Sequence, residues 1–168
     1  MVNSKKMLTR STSKDEVFVE GFPSSWKTEK ILNDMLSALK REKLLEKNSR
    51  IVISLSGVSA AKIKKLNFKT RRRNKVTDVL SFEQPALGLR GVCFLGDIVI
   101  CLDAVREQAK EQKHTIKDEL CVLIAHGILH LLGFDHEKSM GQLRKMKKLE
   151  ERILTNFELS SGLISRTT

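Results

Sequence analysis

Three of the four histidines of this chain lie within eleven residues, at positions 126, 130 and 136. Residues four apart fall on one face of an α-helix, so His126 and His130 can direct two imidazole nitrogens at one ion. Gly133 lets the chain turn, which can bring His136 back as a third ligand. Three protein ligands leave the fourth tetrahedral position of zinc open to water, as in catalytic zinc sites. The spacing therefore predicts one catalytic Zn²⁺ per chain.

The same segment resembles the metzincin peptidase signature H-E-x-x-H-x-x-G-x-x-H at every ligand and turn position, but Gly127 replaces the glutamate. In those peptidases the glutamate is the general base for water. The sequence thus keeps a zincin-like metal helix and lacks the residue that peptide hydrolysis by this route requires. A metallopeptidase stays an alternative, although a disfavoured one.

Positive charge is concentrated in one short segment. The formal net charge is +11, and residues 62–75 hold eight basic residues and no acidic one: Lys62, Lys64, Lys65, Lys69, Arg71, Arg72, Arg73 and Lys75. A patch of this kind neutralises phosphates with release of counterions, and the planar guanidinium of arginine suits phosphate geometry. The alternative is an ordinary solvated surface, but the consecutive arginines favour nucleic acid as the partner.

Length and composition predict one domain in a reducing compartment. A chain of 168 residues can bury a core without disulfides. Its three cysteines, Cys93, Cys101 and Cys121, are scattered among apolar residues, which is typical of reduced core thiols in a cytosolic protein. No segment is apolar for long enough to predict a membrane helix. We therefore expect a soluble cytoplasmic protein with a domain at 15–156 and flexible tails at 1–14 and 157–168.

Hydrophobic periodicity predicts alternating strands and helices. Strands are expected at 16–20, 50–56, 76–82 and 92–102. Helices are expected after Ser24 or Ser25, from Ser59 to about residue 68, from an Asp103 cap to about residue 113, from a Thr115 capping box to 132, and from 137 onward. The last helix should bury one apolar side: Met140, Leu143, Met146, Leu149, Ile153 and Leu154. This pattern predicts an α/β (α+β) fold in one compact domain, with one mixed sheet of about four strands and helices packed on it.

Two segments resemble a known family, the bacterial YbeY endoribonucleases, which are metal-dependent enzymes implicated in ribosomal RNA maturation. The first is H-G-x-L-H-L-x-G-x-D-H at 126–136, and the second is L-N at 66–67 followed by Arg71 and T-D-V-L-S-F at 77–82. The G-D-I at 96–98 is also similar to a family strand. Three positions depart from the family pattern: Thr70 replaces an aromatic residue, Asn74 an aspartate and Phe134 a tyrosine.

The resemblance implies zinc at His126, His130 and His136, with Arg71 as the functional arginine. Lys69, Arg72, Arg73 and Lys75 would bind RNA beside it. Asp97 and Asp135 are candidates for orienting the imidazole rings; their alternatives are a bulge-associated residue and a turn or cap.

The implied function is a zinc-dependent, single-strand-specific endoribonuclease of 16S rRNA maturation and ribosome quality control, with rRNA and the small ribosomal subunit as partners. Besides the metallopeptidase, a non-catalytic RNA-binding assembly factor with a structural metal stays open.

Overall fold

The computed structural model describes residues 14–85, 89–134 and 139–159. The strands are β1 (Glu16–Glu20), β2 (Arg50–Val58), β3 (Val79–Glu83) and β4 (Val92–Cys101). A short 3₁₀ helix at Ser24–Trp26 precedes the five α-helices, which are α1 (Thr28–Arg41), α2 (Ala60–Arg71), α3 (Leu102–Glu111), α4 (Ile116–Leu131) and α5 (Met140–Leu154).

The strands form one mixed sheet in the order β1-β2-β4-β3. Strands β1, β2 and β4 are parallel, and β3 runs antiparallel to β4 at the edge of the sheet. The predicted four-stranded mixed sheet with packed helices is therefore confirmed. β3 begins at Val79 rather than at residue 76, because the Asp78 carboxylate accepts the Val79 N–H at 2.8 Å and so binds the backbone at the start of the strand.

The main core lies between the sheet and the helices. In β2 every second residue is buried, with Ile51, Ile53 and Leu55 on the inner face. Helix α4 contacts α1, α3, α5, β3 and β4, which explains why its sequence is apolar on nearly every side. A smaller cluster under α2 contains Ile63 and Leu80. The helix that carries the histidines is thus held on several sides.

Several helix ends differ from the prediction. Helix α2 continues to Arg71, about one turn beyond residue 68. Asp103 does not cap α3: it lies inside the first turn of that helix, and its carboxylate accepts the Ala60 N–H at 2.8 Å, at the start of α2. The capping box of α4 is confirmed, since the Thr115 and Asp118 side chains each accept the backbone N–H of the other.

The last helix buries most, but not all, of its predicted apolar side. Met146, Leu149, Ile153 and Leu154 are buried, whereas Met140 is 67% exposed because it begins the helix, beyond the core. Phe157 and Leu159, which the sequence analysis places in a tail, pack against the main core. The remainder of both predicted tails, 1–13 and 160–168, lies outside the described residues.

The cysteines agree with a reduced core. Cys101 and Cys121 are buried free thiols, and Cys93 is half-buried. Among the described residues, none of the helices combines the length and the apolar character needed to cross a membrane.

Candidate metal centre and nucleic-acid cleft

Helix α4 places two of the three predicted zinc ligands side by side. The Nε2 atoms of His126 and His130 lie 3.0 Å apart, and the rings meet edge to face with centroids 4.6 Å apart. Two nitrogens bound to one tetrahedral zinc are expected about 3.3 Å apart, given Zn–N distances near 2.0–2.1 Å. The two histidines therefore fit a shared ion after a change of a few tenths of an ångström.

The chain turns directly after this pair. Leu132 ends the helix, and Gly133 has a φ of 84°, a conformation that glycine adopts without the steric penalty of a side chain. The turn that the sequence predicts at Gly133 is thus present. His136 and Asp135, the predicted third ligand and its neighbour, lie outside the described residues. In the part of the chain that the structure describes, no three His, Cys, Asp or Glu side chains are grouped so as to hold a metal ion.

A buried carboxylate holds the outer nitrogen of the first histidine. Glu150 of α5 lies with its Oε1 atom 2.7 Å from His126 Nδ1, and its side chain is 5% exposed. When Nδ1 donates to this oxygen, the lone pair of the ring lies on Nε2, the atom that faces His130. Glu150 is not among the site residues predicted from the sequence. Its signal was an acidic residue on the apolar side of α5, four residues after Met146 and three before Ile153.

Position 127, where the metzincin signature has a glutamate and this chain has a glycine, is crowded. A Cβ atom at Gly127 would lie 3.0 Å from Ile98 Cδ1 and 3.3 Å from Ser81 Oγ. Ile98 is fully buried, and the Ser81 hydroxyl donates to the Gly127 carbonyl at 3.1 Å. Sheet and helix approach each other so closely here that a glutamate side chain would have to displace the core. The packing therefore disfavours the metallopeptidase alternative.

An open cavity of about 740 Å³ adjoins the histidines. Its described lining comes from α2, the segment that follows it, β3 and the end of α4: Asn67, Arg71, Arg73, Lys75, Thr77, Asp78, Val79, Leu80, Ser81, Glu83, His126, His130, Gly133 and Phe134. Three of the predicted RNA-binding cations, Arg71, Arg73 and Lys75, thus share one cavity with the two predicted metal ligands. Lys69 and Arg72, although described, are not part of this lining.

Local hydrogen bonds position the cationic wall of the cavity, which consists of Arg71, Arg73 and Lys75. Asn67, which is buried, donates from Nδ2 to the Lys75 carbonyl at 2.9 Å and so holds the segment after α2 against the helix. Arg71 donates from Nη2 to the Ser81 carbonyl of β3 at 3.4 Å, which leaves the rest of its guanidinium for other contacts. Because Ser81 also bonds Gly127, the arginine and the metal helix are linked through one residue of β3.

Comparison with known proteins identifies the family. The family model described as endoribonuclease YbeY matches residues 19–158. This chain belongs to the YbeY endoribonuclease family. It is therefore a nuclease of the hydrolase class, as the sequence predicts.

Individual relatives agree with the YbeY family model. The chain is 46% identical over 120 residues to an endoribonuclease YbeY from Thermodesulfovibrio yellowstonii, a match that covers 71% of this chain and 76% of the relative. It is 36% identical over 134 residues to the Staphylococcus carnosus protein of the same name, covering 77% and 86%. The solution structure of TM1509 from Thermotoga maritima matches with a TM-score of 0.54 and 28% identity, over 83% of this chain and 90% of that one.

Among the described residues, Asp97, another predicted residue of this YbeY-family site, contacts a glutamine and not a histidine. The Asp97 carboxylate accepts from Gln84 Nε2 at 2.8 Å, next to the bulge opposite Val52 and Ile53. The carboxylate that contacts His126 Nδ1 belongs to Glu150. A ring-orienting role for Asp97 stays a prediction.

The side chains of His114 and Cys121 are buried and lie outside the cavity lining. His114 lies outside the cavity lining with its Nε2 atom 3.3 Å from Glu119 Oε2, and the two side chains are 4% and 1% exposed. Burial raises the pKa of the Cys121 thiol to about 12. A thiol of such high pKa stays protonated and is a poor metal ligand, in agreement with its predicted place in the core.

Proposed function

We propose that this protein is a zinc-dependent endoribonuclease that cuts single-stranded RNA, with 16S ribosomal RNA of the small subunit as its substrate. One observation carries the proposal. Two histidines with Nε2 atoms 3.0 Å apart open on the same cavity as Arg71, Arg73 and Lys75. A metal-ligand pair and a cationic wall in one cavity suit the hydrolysis of a phosphodiester.

His126 and His130 would hold the zinc ion, with His136 as the third ligand that the sequence predicts. Zinc, when bound, supplies a Lewis acid for a phosphoryl oxygen and lowers the pKa of water toward neutrality. By accepting from Nδ1, Glu150 would keep the Nε2 lone pair of His126 available for a bound ion. With this chemistry at the site, no carboxylate base is required at position 127, where the packing disfavours a side chain.

Arg71 would bind the scissile phosphate. Its guanidinium can offer two parallel N–H donors to phosphate oxygens, which fixes the orientation of the phosphate as well as neutralising its charge. The contact with the Ser81 carbonyl directs Arg71 along β3, the strand that connects to the metal helix through Gly127. Arg73 and Lys75 would bind neighbouring phosphates of the strand.

The choice of RNA rests on the family and on charge. Unpaired RNA presents phosphates and bases that a protein cavity can reach, whereas a duplex does not expose its bases in this way. The YbeY family name supports cleavage within an RNA chain. Ribosomal RNA and the small subunit as partners, and the cytoplasm as the location, are what the sequence resemblance implies.

The first test combines metal analysis with analysis of RNA products. We expect about one zinc per chain, loss of most of it in His126→Ala and His130→Ala, and cleavage of single-stranded but not duplex RNA. Zinc content is measured by atomic emission, and the end groups of the products distinguish attack by water from attack by the ribose 2′-hydroxyl. Full zinc occupancy in a variant that combines His126→Ala with His130→Ala would contradict the ligand assignment.

His114 is the internal control for that experiment, with a correction from the structure. His114→Ala should keep its zinc, because this histidine lies outside the cavity lining. Removing it leaves the buried Glu119 without this partner, so we expect a loss of about 2 kcal/mol in the free energy of unfolding. Metal content and thermal stability should therefore change independently in this variant.

The second test separates catalysis from binding. Arg71→Lys keeps the charge and loses the two-point geometry, so single-turnover cleavage should fall about 100-fold while RNA affinity changes little. Arg72→Lys is the matched control because Arg72 adjoins Arg71 and is not part of the cavity lining; it should be nearly silent in both measurements. An equal loss in the two variants, with zinc content unchanged, would make Arg71 an ordinary member of a basic surface.

A further inference from the structure

An exposed aromatic ring lies on the basic helix beside the cavity. Phe68 of α2 is 51% exposed, although Ile63 and Asn67 of the same helix are buried. Single exposed apolar side chains are common, so exposure alone assigns no role. The surroundings of this ring are what make it informative.

Helix spacing places three cations near the ring, and two neighbouring residues of the same helix line the cavity. Lys64 and Lys65 precede Phe68 by four and three residues and Arg71 follows it by three, so all three lie around it on the helix surface. Two residues near Phe68 along the helix, Asn67 and Arg71, line the cavity. An apolar ring among lysines and arginines, with no acidic residue from 62 to 75, is the combination that single-stranded nucleic acid sites use.

Two other aromatic residues show what is particular to Phe68. Phe18 is 58% exposed, but it lies in strand β1 between Glu16 and Glu20, whose carboxylates repel phosphates. Phe134 lines the cavity, yet its ring packs against the core and the Lys145 ammonium lies 5.2 Å from its centroid. Of the two exposed aromatic residues in the described part of the chain, only Phe68 lies in a basic segment that contains no acidic residue.

We propose that Phe68 stacks on an unpaired base of the RNA strand next to the nucleotide whose phosphate Arg71 binds. The inference rests on the proposed function, because it needs RNA as the occupant. Stacking is tolerant of sequence, since every base has a π-face. The ring would make the enzyme prefer strands with free bases over duplexes of equal charge, so it supplies selectivity for unpaired RNA that phosphate contacts alone cannot provide.

The experiment compares Phe68→Leu, which removes the ring and keeps an apolar side chain, with Phe68→Tyr, which keeps the ring. Affinity is measured for a single RNA strand of about twelve nucleotides and for a strand of equal length with abasic residues. Phe18→Leu is the matched control, since it removes a similarly exposed ring from strand β1, outside the cavity lining. Circular dichroism checks the fold of each variant, and gel electrophoresis of each mixture measures the fraction of strand that is cut, so that affinities are compared at equal concentrations of intact strand.

Phe68→Leu should weaken binding of the base-containing strand about ten-fold and leave the abasic strand unchanged. Phe68→Tyr and Phe18→Leu should bind both strands as the wild type does. Equal affinity of Phe68→Leu and wild type for the base-containing strand would overturn the proposal; an equal loss on both strands would overturn it as well. A wild type that binds RNA without cutting it would contradict the nuclease proposal instead, and the comparison of strands would still decide the role of Phe68.

Discussion

At the scale of single residues, the contact between His126 and Glu150 sets which ring nitrogen of His126 faces His130. The carboxylate comes from α5 and the imidazole from α4, so the bond of 2.7 Å also joins two helices. A carboxylate behind a metal-binding histidine fixes the ring tautomer and increases the basicity of the ligand nitrogen. Glu150 is buried, so solvent does not compete for its oxygen.

This contact gives a prediction for metal affinity. Glu150→Gln keeps an acceptor of similar shape and removes the negative charge, so zinc affinity should fall by about 10-fold to 100-fold. The measurement is a competitive titration against a zinc-binding dye. Glu151→Gln, at the next position of the same helix, is the control and should bind zinc as the wild type does. Equal affinities in the two variants would show that Glu150 only packs the core.

Site residues were predictable from the sequence where their spacing repeats a helix turn. His126 and His130 are four apart on one helix, and the structure places their Nε2 atoms together. Glu150 lies 24 positions from His126, and nothing local in the sequence indicates that α5 brings it there. Charge alone could not show that Arg73 lines the cavity and Arg72 does not, because that depends on how the chain turns after α2.

At the scale of the elements, the close approach of α4 to the sheet shapes the site. Gly127 faces Ile98 of β4 and Ser81 of β3, where the absence of a side chain lets the helix approach the strands. This approach places β3 beside the histidines, and β3 in turn binds Arg71 through the Ser81 carbonyl. The glycine in the metal motif is therefore a packing requirement of the cavity.

Two glycines in helices should respond oppositely to alanine. Among the described residues, the added methyl group of Gly141→Ala in α5 meets only the Ser139 hydroxyl, at 3.8 Å, so the helix propensity of alanine should raise the free energy of unfolding by about 0.5 kcal/mol. Gly127→Ala forces a methyl group against the buried Ile98, so it should lower that free energy by about 1 kcal/mol or more. Chemical denaturation measures both. A stabilised Gly127→Ala variant would show that Ile98 has room to move.

Element types followed from periodicity, whereas the order of the strands did not. Short runs rich in β-branched and aromatic residues in 16–20 and 50–56 predicted β1 and most of β2, and the Thr115 capping box predicted the start of α4. The order β1-β2-β4-β3 depends on helix crossovers and on β3 turning back along β4, and local patterns do not contain that information. Asp103 shows the same limit: its carboxylate binds a different helix from the one that its sequence position suggested.

At the scale of the whole molecule, apolar residues fill the core, and the described lysines and arginines are not buried. The core between sheet and helices is apolar apart from a few buried polar groups, among them Glu119 and Glu150, each of which contacts a histidine. No lysine or arginine in the described part of the chain is buried, and three of these cations, Arg71, Arg73 and Lys75, line the cavity. Such a distribution attracts a polyanion over a distance and guides it to the cavity.

The salt dependence of RNA binding tests whether the cavity cations contact phosphates. Each phosphate contact on a single strand contributes about 0.7 to the slope of log affinity against log salt concentration, because a bound counterion is released. Arg73→Gln combined with Lys75→Gln removes two contacts and should reduce the slope by about 1.4. Lys43→Gln combined with Lys47→Gln removes the same charge from the loop between α1 and β2, outside the cavity lining. If both double variants reduce the slope equally, binding follows net charge; if only the first does, the strand lies in the cavity.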